Sequence, residues 1–221
     1  MDEDRADPEQ LRRSLRFIER INHRLGYTRA ILGHMELFSK SWRGRPTIRI
    51  VDLATGSADI PRAILKWADE RGIHMHITAL DRHPVTAKIA AEGPADPRLQ
   101  IIQADVFDLP FEPRSFDYAL CAMFLHHLDE ERIVEVLRTM DKLARRGIIA
   151  ADLLRHRRAY LWIRLLTLFA APMVRHDACA SVRQALTREE VLALRERAGI
   201  GYAQYHRHPA HRFVLAGERS A

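Results

Sequence analysis

The sequence predicts an α/β fold: a doubly wound, mostly parallel seven-stranded sheet with an antiparallel last strand and an N-terminal helical cap. Three observations predict it. From residue 45 onward, short β-branched runs alternate with helical stretches. Three successive runs end in a carboxylate, Asp52, Asp81 and Asp105, as strand ends lining one sheet edge would. The last two runs, 202–206 and 212–217, flank a turn at Pro209 and read as an antiparallel pair.

The elements follow in order. Residues 1–8 read as frayed. Two apolar stripes at helical spacing come next, first Leu11, Leu15, Ile18, Ile21 and Leu25, then Ile31, Leu32, Met35 and Phe38. Gly26 separates them, and the span 1–44 is the cap. Within it Asn22, Tyr27, Arg29 and His34 are polar residues that could face a pocket; we read them as a solvated helix face. One domain is expected over 45–221. Its strands are placed at 47–52, 74–80, 99–103, 116–122 and 147–152. Helices are placed at 60–70, 84–92, 130–143 and 189–198. Gly72 closes the first of these, and Thr187 to Glu190 forms a capping box for the last. Residues 155–186 read as a lid-like insertion, basic and aromatic over 155–164 and apolar over 165–174.

Bulk properties exclude several classes. The 221 residues are 47% hydrophobic, enough for one buried core and too many for a disordered chain. The formal charge of +6 raises the question of nucleic acid, yet 29 acids are interspersed and aromatics are only 7%. We read the charge as a solvated surface. Cys121 and Cys179 lack metal or redox spacing, which fits a reducing compartment. The acidic start is unlike a signal peptide. The most membrane-like run, 159–174, is interrupted by Arg164 and Pro172. A cytoplasmic protein without a membrane span is expected, with peripheral contact open, as a monomer or homodimer.

The stretch Ile48 to Ile60 carries the chemistry. A buried strand ends at Asp52 and enters a turn of small residues, Ala54-Thr55-Gly56-Ser57-Ala58, followed by a helix from Asp59. Strand, tight turn and helix N-terminus form a site for a polar ligand. A dinucleotide would want three glycines and a pyrophosphate at the turn. Only Gly56 is present, and Asp52 would repel a pyrophosphate. A carboxylate there favours a sulfonium and an ammonium instead. Asp81 is placed for ribose hydroxyls, and Asp105 beside Val106 for an adenine amino group.

Residues 51–61 (Val-Asp-Leu-Ala-Thr-Gly-Ser-Ala-Asp-Ile-Pro) resemble motif I of the class I S-adenosylmethionine-dependent methyltransferases. Residues 79–82 (Ala-Leu-Asp-Arg) resemble the ribose-binding acid motif, and 103–111 the adenine-side motif. Residues 115–128 are similar to motif IV and its sequel. Within that family the chain looks most like the ubiquinone/menaquinone-biosynthesis-like group (methyltransferase type 11). The resemblance implies a Rossmann-like methyltransferase fold and S-adenosyl-L-methionine as cofactor. It implies cofactor contacts at Asp52, Leu53, Ala54, Thr55, Gly56, Asp59, Asp81, Arg82, Asp105, Val106, Ala122 and Met123. The family usually has glycine where Ala54 and Ala58 stand, and alanine resists positive φ.

The implied activity is methyl transfer to oxygen or carbon of a small, lipophilic or phenolic acceptor. A phenol or enol benefits from a general base, for which His126 and His127 are the candidates. Arg29 or the backbone after Ala54 would hold the cofactor's carboxylate, and Arg82 would flank its adenine. The alternatives are an RNA or other nucleic-acid methyltransferase, whose Asn/Asp-Pro-Pro-Tyr motif is absent after strand four, and a non-catalytic cofactor-binding relative. His206, His208 and His211 have loose spacing and are expected far from the cofactor edge, so no metal site is expected.

Overall fold

The computed structural model describes residues 8–42, 47–168 and 172–219. Seven strands form one sheet in the order β3-β2-β1-β4-β5-β7-β6. These are β1 (Ile48–Leu53), β2 (Met75–Asp81), β3 (Leu99–Gln103), β4 (Phe116–Ala122), β5 (Ala144–Leu153), β6 (Gln204–His208) and β7 (Arg212–Glu218). The first five are mutually parallel, and β7 runs antiparallel to both β5 and β6. The central strands are apolar on both faces: Ile50, Val51, Leu53, Ala119, Leu120, Ile148 and Ile149 are all buried. Such continuous apolar runs are what a parallel sheet covered on both sides requires.

Helices cover both faces. They are α1 (Pro8–Arg24), α2 (Tyr27–Ser39), α3 (Asp59–Asp69), α4 (Pro84–Ala91), α5 (Glu130–Leu143), α6 (Arg157–Leu166), α7 (Pro172–Gln184) and α8 (Arg188–Ala198). Gly26, at φ 75°, turns the chain between α1 and α2. Asp129 caps α5 by accepting from the Arg132 amide, and the Thr187–Glu190 capping box opens α8. Gly199 ends α8 in the left-handed conformation. The insertion becomes α6 and α7, two helices that pack on each other.

Three differences from the sequence expectation have physical causes. β5 begins at Ala144 rather than Gly147, because α5 runs into the strand without a turn and a register shift between Phe116 and Tyr118 accommodates the extra residues. Tyr27 and His34 are not on a solvated face; they are 1% and 5% exposed. The cap helix α2 lies against β5 and β7, so its polar residues meet partners more than a hundred positions away. Arg29 is exposed, as expected. The side chain of Asn22 and the expectation for residues 1–7 lie outside what the structure describes.

Candidate active site

The C-terminal ends of β1 to β5 open into a cavity of about 1020 Å³, roofed by α1, α6 and α7. Motif and roof meet directly: a Cβ added at Gly56 would lie 3.8 Å from Leu15 of α1.

The β1 turn is pinned from three sides. The Thr55 amide donates to the Leu80 carbonyl at 2.8 Å, and the Gly56 amide donates to Asp81 Oδ2 at 3.0 Å. Arg62 of α3 donates to the Ser57, Ala58 and Ala90 carbonyls. The turn is tight enough to hold Ala54 at φ 56° and Ala58 at φ 58°. These are the positions where the resembling family has glycine, and each alanine sits in the region that costs a non-glycine residue about 1–2 kcal/mol. Replacing either by glycine should raise stability by about 0.5–1 kcal/mol, the strain relieved less the added unfolded-state entropy. Urea unfolding of each variant checks this; a loss of stability would mean that the turn holds no strain.

Asp52 is 2% exposed. Its Oδ2 accepts from the Thr55 hydroxyl at 2.6 Å, while Oδ1 is buried and has no hydrogen-bond partner among the described residues. Burial pushes its pKa up to about 8; the Thr55 hydroxyl opposes this, and the charges of Asp59 and Asp81 add to it. An orphaned carboxylate oxygen in a cavity wall calls for a cation or an N–H donor. The residues present therefore fit a ligand with a positively charged end.

The sign of the pH effect follows. A carboxyl whose folded pKa lies above 3.8 stays protonated longer in the folded chain, so ionising it opposes folding. The ligand-free protein should lose stability as pH climbs from about 4 towards 8, and Asp52→Asn should flatten that decline. Thermal unfolding across this range decides; equal slopes in both proteins would remove Asp52 as the source.

Asp81 accepts from the Gly56 and His83 amides, each at 3.0 Å, and burial raises its pKa. Each carboxylate oxygen keeps a further lone pair for a ligand hydroxyl. Asp105 accepts from the Phe107 amide at 3.0 Å and lines the cavity beside Val106. Ala54, Thr55, Gly56, Asp59, Arg82, Ala122 and Met123 also line it. Leu53 does not; its side chain is fully buried in the core. Arg29 is not among the lining residues either.

On the other side of the cavity lies a buried pair. His126 Nδ1 is 2.7 Å from Asp152 Oδ1, and the side chains are 3% and 1% exposed. The His126 amide donates to Asp152 Oδ2 at 3.1 Å, and the Leu153 amide to Oδ1 at 2.6 Å. Burial alone would raise the Asp152 pKa; the imidazole and these donors outweigh it, and the net shift is downward. His127 is more exposed, and its ring lies 4.1 Å from that of His126. The Tyr27 hydroxyl donates to the Ala151 carbonyl at 2.5 Å and accepts from the Met123 amide at 2.9 Å. Apolar residues of α1, α6 and α7, among them Ile18, Trp162, Ile163 and Val182, complete this half.

Asp152 and Arg212 were not singled out from sequence. Asp152 is a fourth acid at a strand end, on β5, and that position was the available signal. Arg212 and His211 reach the cavity, contrary to the expectation for the closing strands, because antiparallel β7 starts at the edge where β5 ends, with Arg212 opposite Leu153. His206 and His208 stay apart from it and pack on His34, whose Nε2 is 3.3 Å from His208 Nε2. Among the described residues no group of three or more ligand-type side chains could hold a metal ion.

Residues 50–147 match a family model described as a methyltransferase domain. A comparison with curated proteins gave no match. The chain is similar in structure to an S-adenosylmethionine-dependent methyltransferase from Aquifex aeolicus, at 15% identity over 97% of this chain and 99% of that one, with a TM-score of 0.66. It is also similar to magnesium protoporphyrin IX methyltransferase from Synechocystis with bound S-adenosylhomocysteine (14% identity, 89% and 85% covered, TM-score 0.63). A third is human N-acetylserotonin methyltransferase in complex with S-adenosylmethionine, at 17% identity, 78% and 48% covered, TM-score 0.59. The domain match over residues 50–147 and the strand order agree: the chain carries a region similar to the methyltransferase-domain family, on the fold that these S-adenosylmethionine-dependent methyltransferases share.

Proposed function

We propose that the protein transfers a methyl group from S-adenosylmethionine to an oxygen or carbon of a small, lipophilic or phenolic acceptor. The observation that carries this reading is the division of one cavity into two halves. Three strand-end acids with an orphaned Asp52 oxygen form one half; an apolar wall with a buried His–Asp pair forms the other. Two of the structurally similar proteins are named for N-acetylserotonin and magnesium protoporphyrin IX, both small molecules.

The cofactor, when bound, supplies a methyl group on a sulfonium, open to in-line displacement. Asp52 would face its cationic end, Asp81 the ribose hydroxyls and Asp105 the adenine amino group. Asp152 fixes the His126 ring through Nδ1, which leaves Nε2 to take the acceptor's proton. Tyr27 holds Met123 at the end of β4, which forms the floor between the two halves. The helices α1, α6 and α7 exclude water, and proximity then supplies much of the rate.

The lid also supports peripheral membrane contact. No described helix is long and apolar enough to cross a membrane. On α6, however, Leu161, Trp162, Leu165 and Leu166 are 55–63% exposed, beside Arg157, Arg158 and Arg164. That pattern suits an anionic bilayer surface. The protein should sediment with vesicles containing phosphatidylglycerol, and Leu161→Ser with Leu165→Ser should reduce this about tenfold or more; binding that survives the changes would exclude α6.

The strained alanines favour a second reading, a cofactor-binding relative without turnover. Calorimetry with S-adenosylmethionine, followed by an acceptor screen with labelled methyl donor, tests both. Absence of cofactor binding would reject both. Binding without transfer to any phenolic or lipophilic acceptor would leave only the second.

A further inference from the structure

Among the described residues, Arg212 is the arginine with two buried guanidinium nitrogens that lack a partner. It is 3% exposed and lines the cavity. Its Nε and Nη1 are buried, and they have no hydrogen-bond partner among the described residues. The acid whose charge acts on it, Asp152, already accepts from His126 Nδ1 and from the His126 and Leu153 amides. What Arg212 does touch is the Tyr27 ring, whose centroid lies 4.9 Å from the guanidinium carbon. A cation over an aromatic face recovers only part of the hydration lost by burial. A guanidinium that cannot deprotonate needs acceptors for these donors, and an anion in the cavity would supply both the acceptor and the opposite charge.

Its place in the sheet says which part of the cavity this is. β7 is three strand spacings from β1, about 14 Å, so Arg212 stands well away from Asp52. It lies opposite Leu153 and next to the His126–Asp152 pair, among the apolar roof residues. Three cavity-lining residues have buried polar atoms without a partner among the described residues: Asp52 and His83 at the motif end, and Arg212, whose guanidinium is the one cation of the three, by β7.

We infer that Arg212 is an anion-binding subsite, which holds a carboxylate or comparably acidic oxygen of a ligand whose body is apolar. This deepens the proposed function, on which it rests for naming that ligand as the acceptor. An acid group bidentate on Arg212 would place the adjoining part of the acceptor beside His126, since both residues face the same half of the cavity. The same chemistry has a second source in the carboxylate of the cofactor's methionine end, and the experiment separates the two.

The probes are decanoate, decanol and S-adenosylmethionine, with binding followed by calorimetry on wild type, Arg212→Met and Arg212→Lys. Wild type should prefer decanoate to decanol on the order of tenfold to a hundredfold, Arg212→Met should abolish that preference, and Arg212→Lys should restore part of it. If instead Arg212→Met weakens S-adenosylmethionine by a similar factor and decanoate is bound no better than decanol, the subsite stands and its anion is the cofactor's. Unfolding of the ligand-free proteins supplies the second readout: an unpaired buried cation predicts that Arg212→Met is as stable as wild type or more so. The inference is overturned if Arg212→Met keeps both the decanoate preference and the cofactor affinity. It is equally overturned if the variant is strongly destabilised without ligand, which would make Arg212 a structural residue. None of these readouts uses turnover, so failure of the methyl-transfer reading would leave the carboxylate preference measurable.

Discussion

Asp81→Ala should lower the affinity for S-adenosylmethionine at least a hundredfold, about 3 kcal/mol or more. Two effects act together. A ribose would lose an acceptor for both of its hydroxyls, each charge-assisted bond contributing about 1.5–3 kcal/mol. The β1 turn would also lose its anchor, because the Gly56 and His83 amides both donate to this one carboxylate. Gly56 already holds a left-handed φ of 59°, with Ala54 and Ala58 on either side in the same region. Without Asp81 the end of β2 holds that turn only through the Leu80 carbonyl, which accepts from the Thr55 amide. The free protein should consequently lose about 1–3 kcal/mol as two partly buried amides go unpaired. Asp81→Asn separates the effects: its one amide oxygen can keep the turn, yet it carries no charge for the hydroxyls. Calorimetry on both variants decides, and wild-type affinity in Asp81→Ala would sink the assignment.

His126→Ala should reduce kcat by about a hundredfold to ten-thousandfold while leaving cofactor affinity within a few fold. The reason is position. His126 sits on the short 3-10 turn Leu125–His127 after β4, across the cavity from the acids at β1 to β3. Asp152→Asn should cost at least about tenfold through a different route. Asp152 does not reach for the acceptor; it accepts from His126 Nδ1 and two backbone amides, so it is a positioning residue. An amide there offers one acceptor oxygen where three donors converge, and the ring loses the group that fixes its tautomer. The split between kcat and KM, with the pH profile of kcat, distinguishes this from a packing defect. A packing defect would lower both constants without moving the profile. Unchanged kcat in His126→Ala would remove it as the base.

Much of this was legible in the sequence where the determinants are local. Alternation of β-branched runs with helical stripes placed every strand of the sheet, because each element buries its own apolar face. Asp52, Asp81 and Asp105 could be found because strand ends are local events. The Thr187–Glu190 box could be found because caps act within three residues. The failures involve partners distant in the chain. Tyr27 and His34 looked like surface polar residues, and only the seating of α2 against β5 and β7 shows what they bond to. The expectation that the closing strands lie far from the ligand edge overlooked a consequence of antiparallel order: a reversed strand brings its beginning, not its end, to that edge. The alanines at positive φ were foreseeable as a departure but not as strain, since composition does not reveal φ.

The antiparallel β7 has one more consequence, for how such a chain diversifies. The strand-end acids Asp52, Asp81 and Asp105 fall within one uninterrupted stretch of the chain. That stretch lies inside residues 50–147, the part that matches the family model. Of the residues proposed for the acceptor half, His126 falls within it, while Tyr27, Asp152 and Arg212 fall outside, before and after. On the proposed reading, mutations in the flanks would change three of the acceptor-half residues without touching the strand-end acids. The reversed strand is the route by which the far end of the chain reaches the cavity.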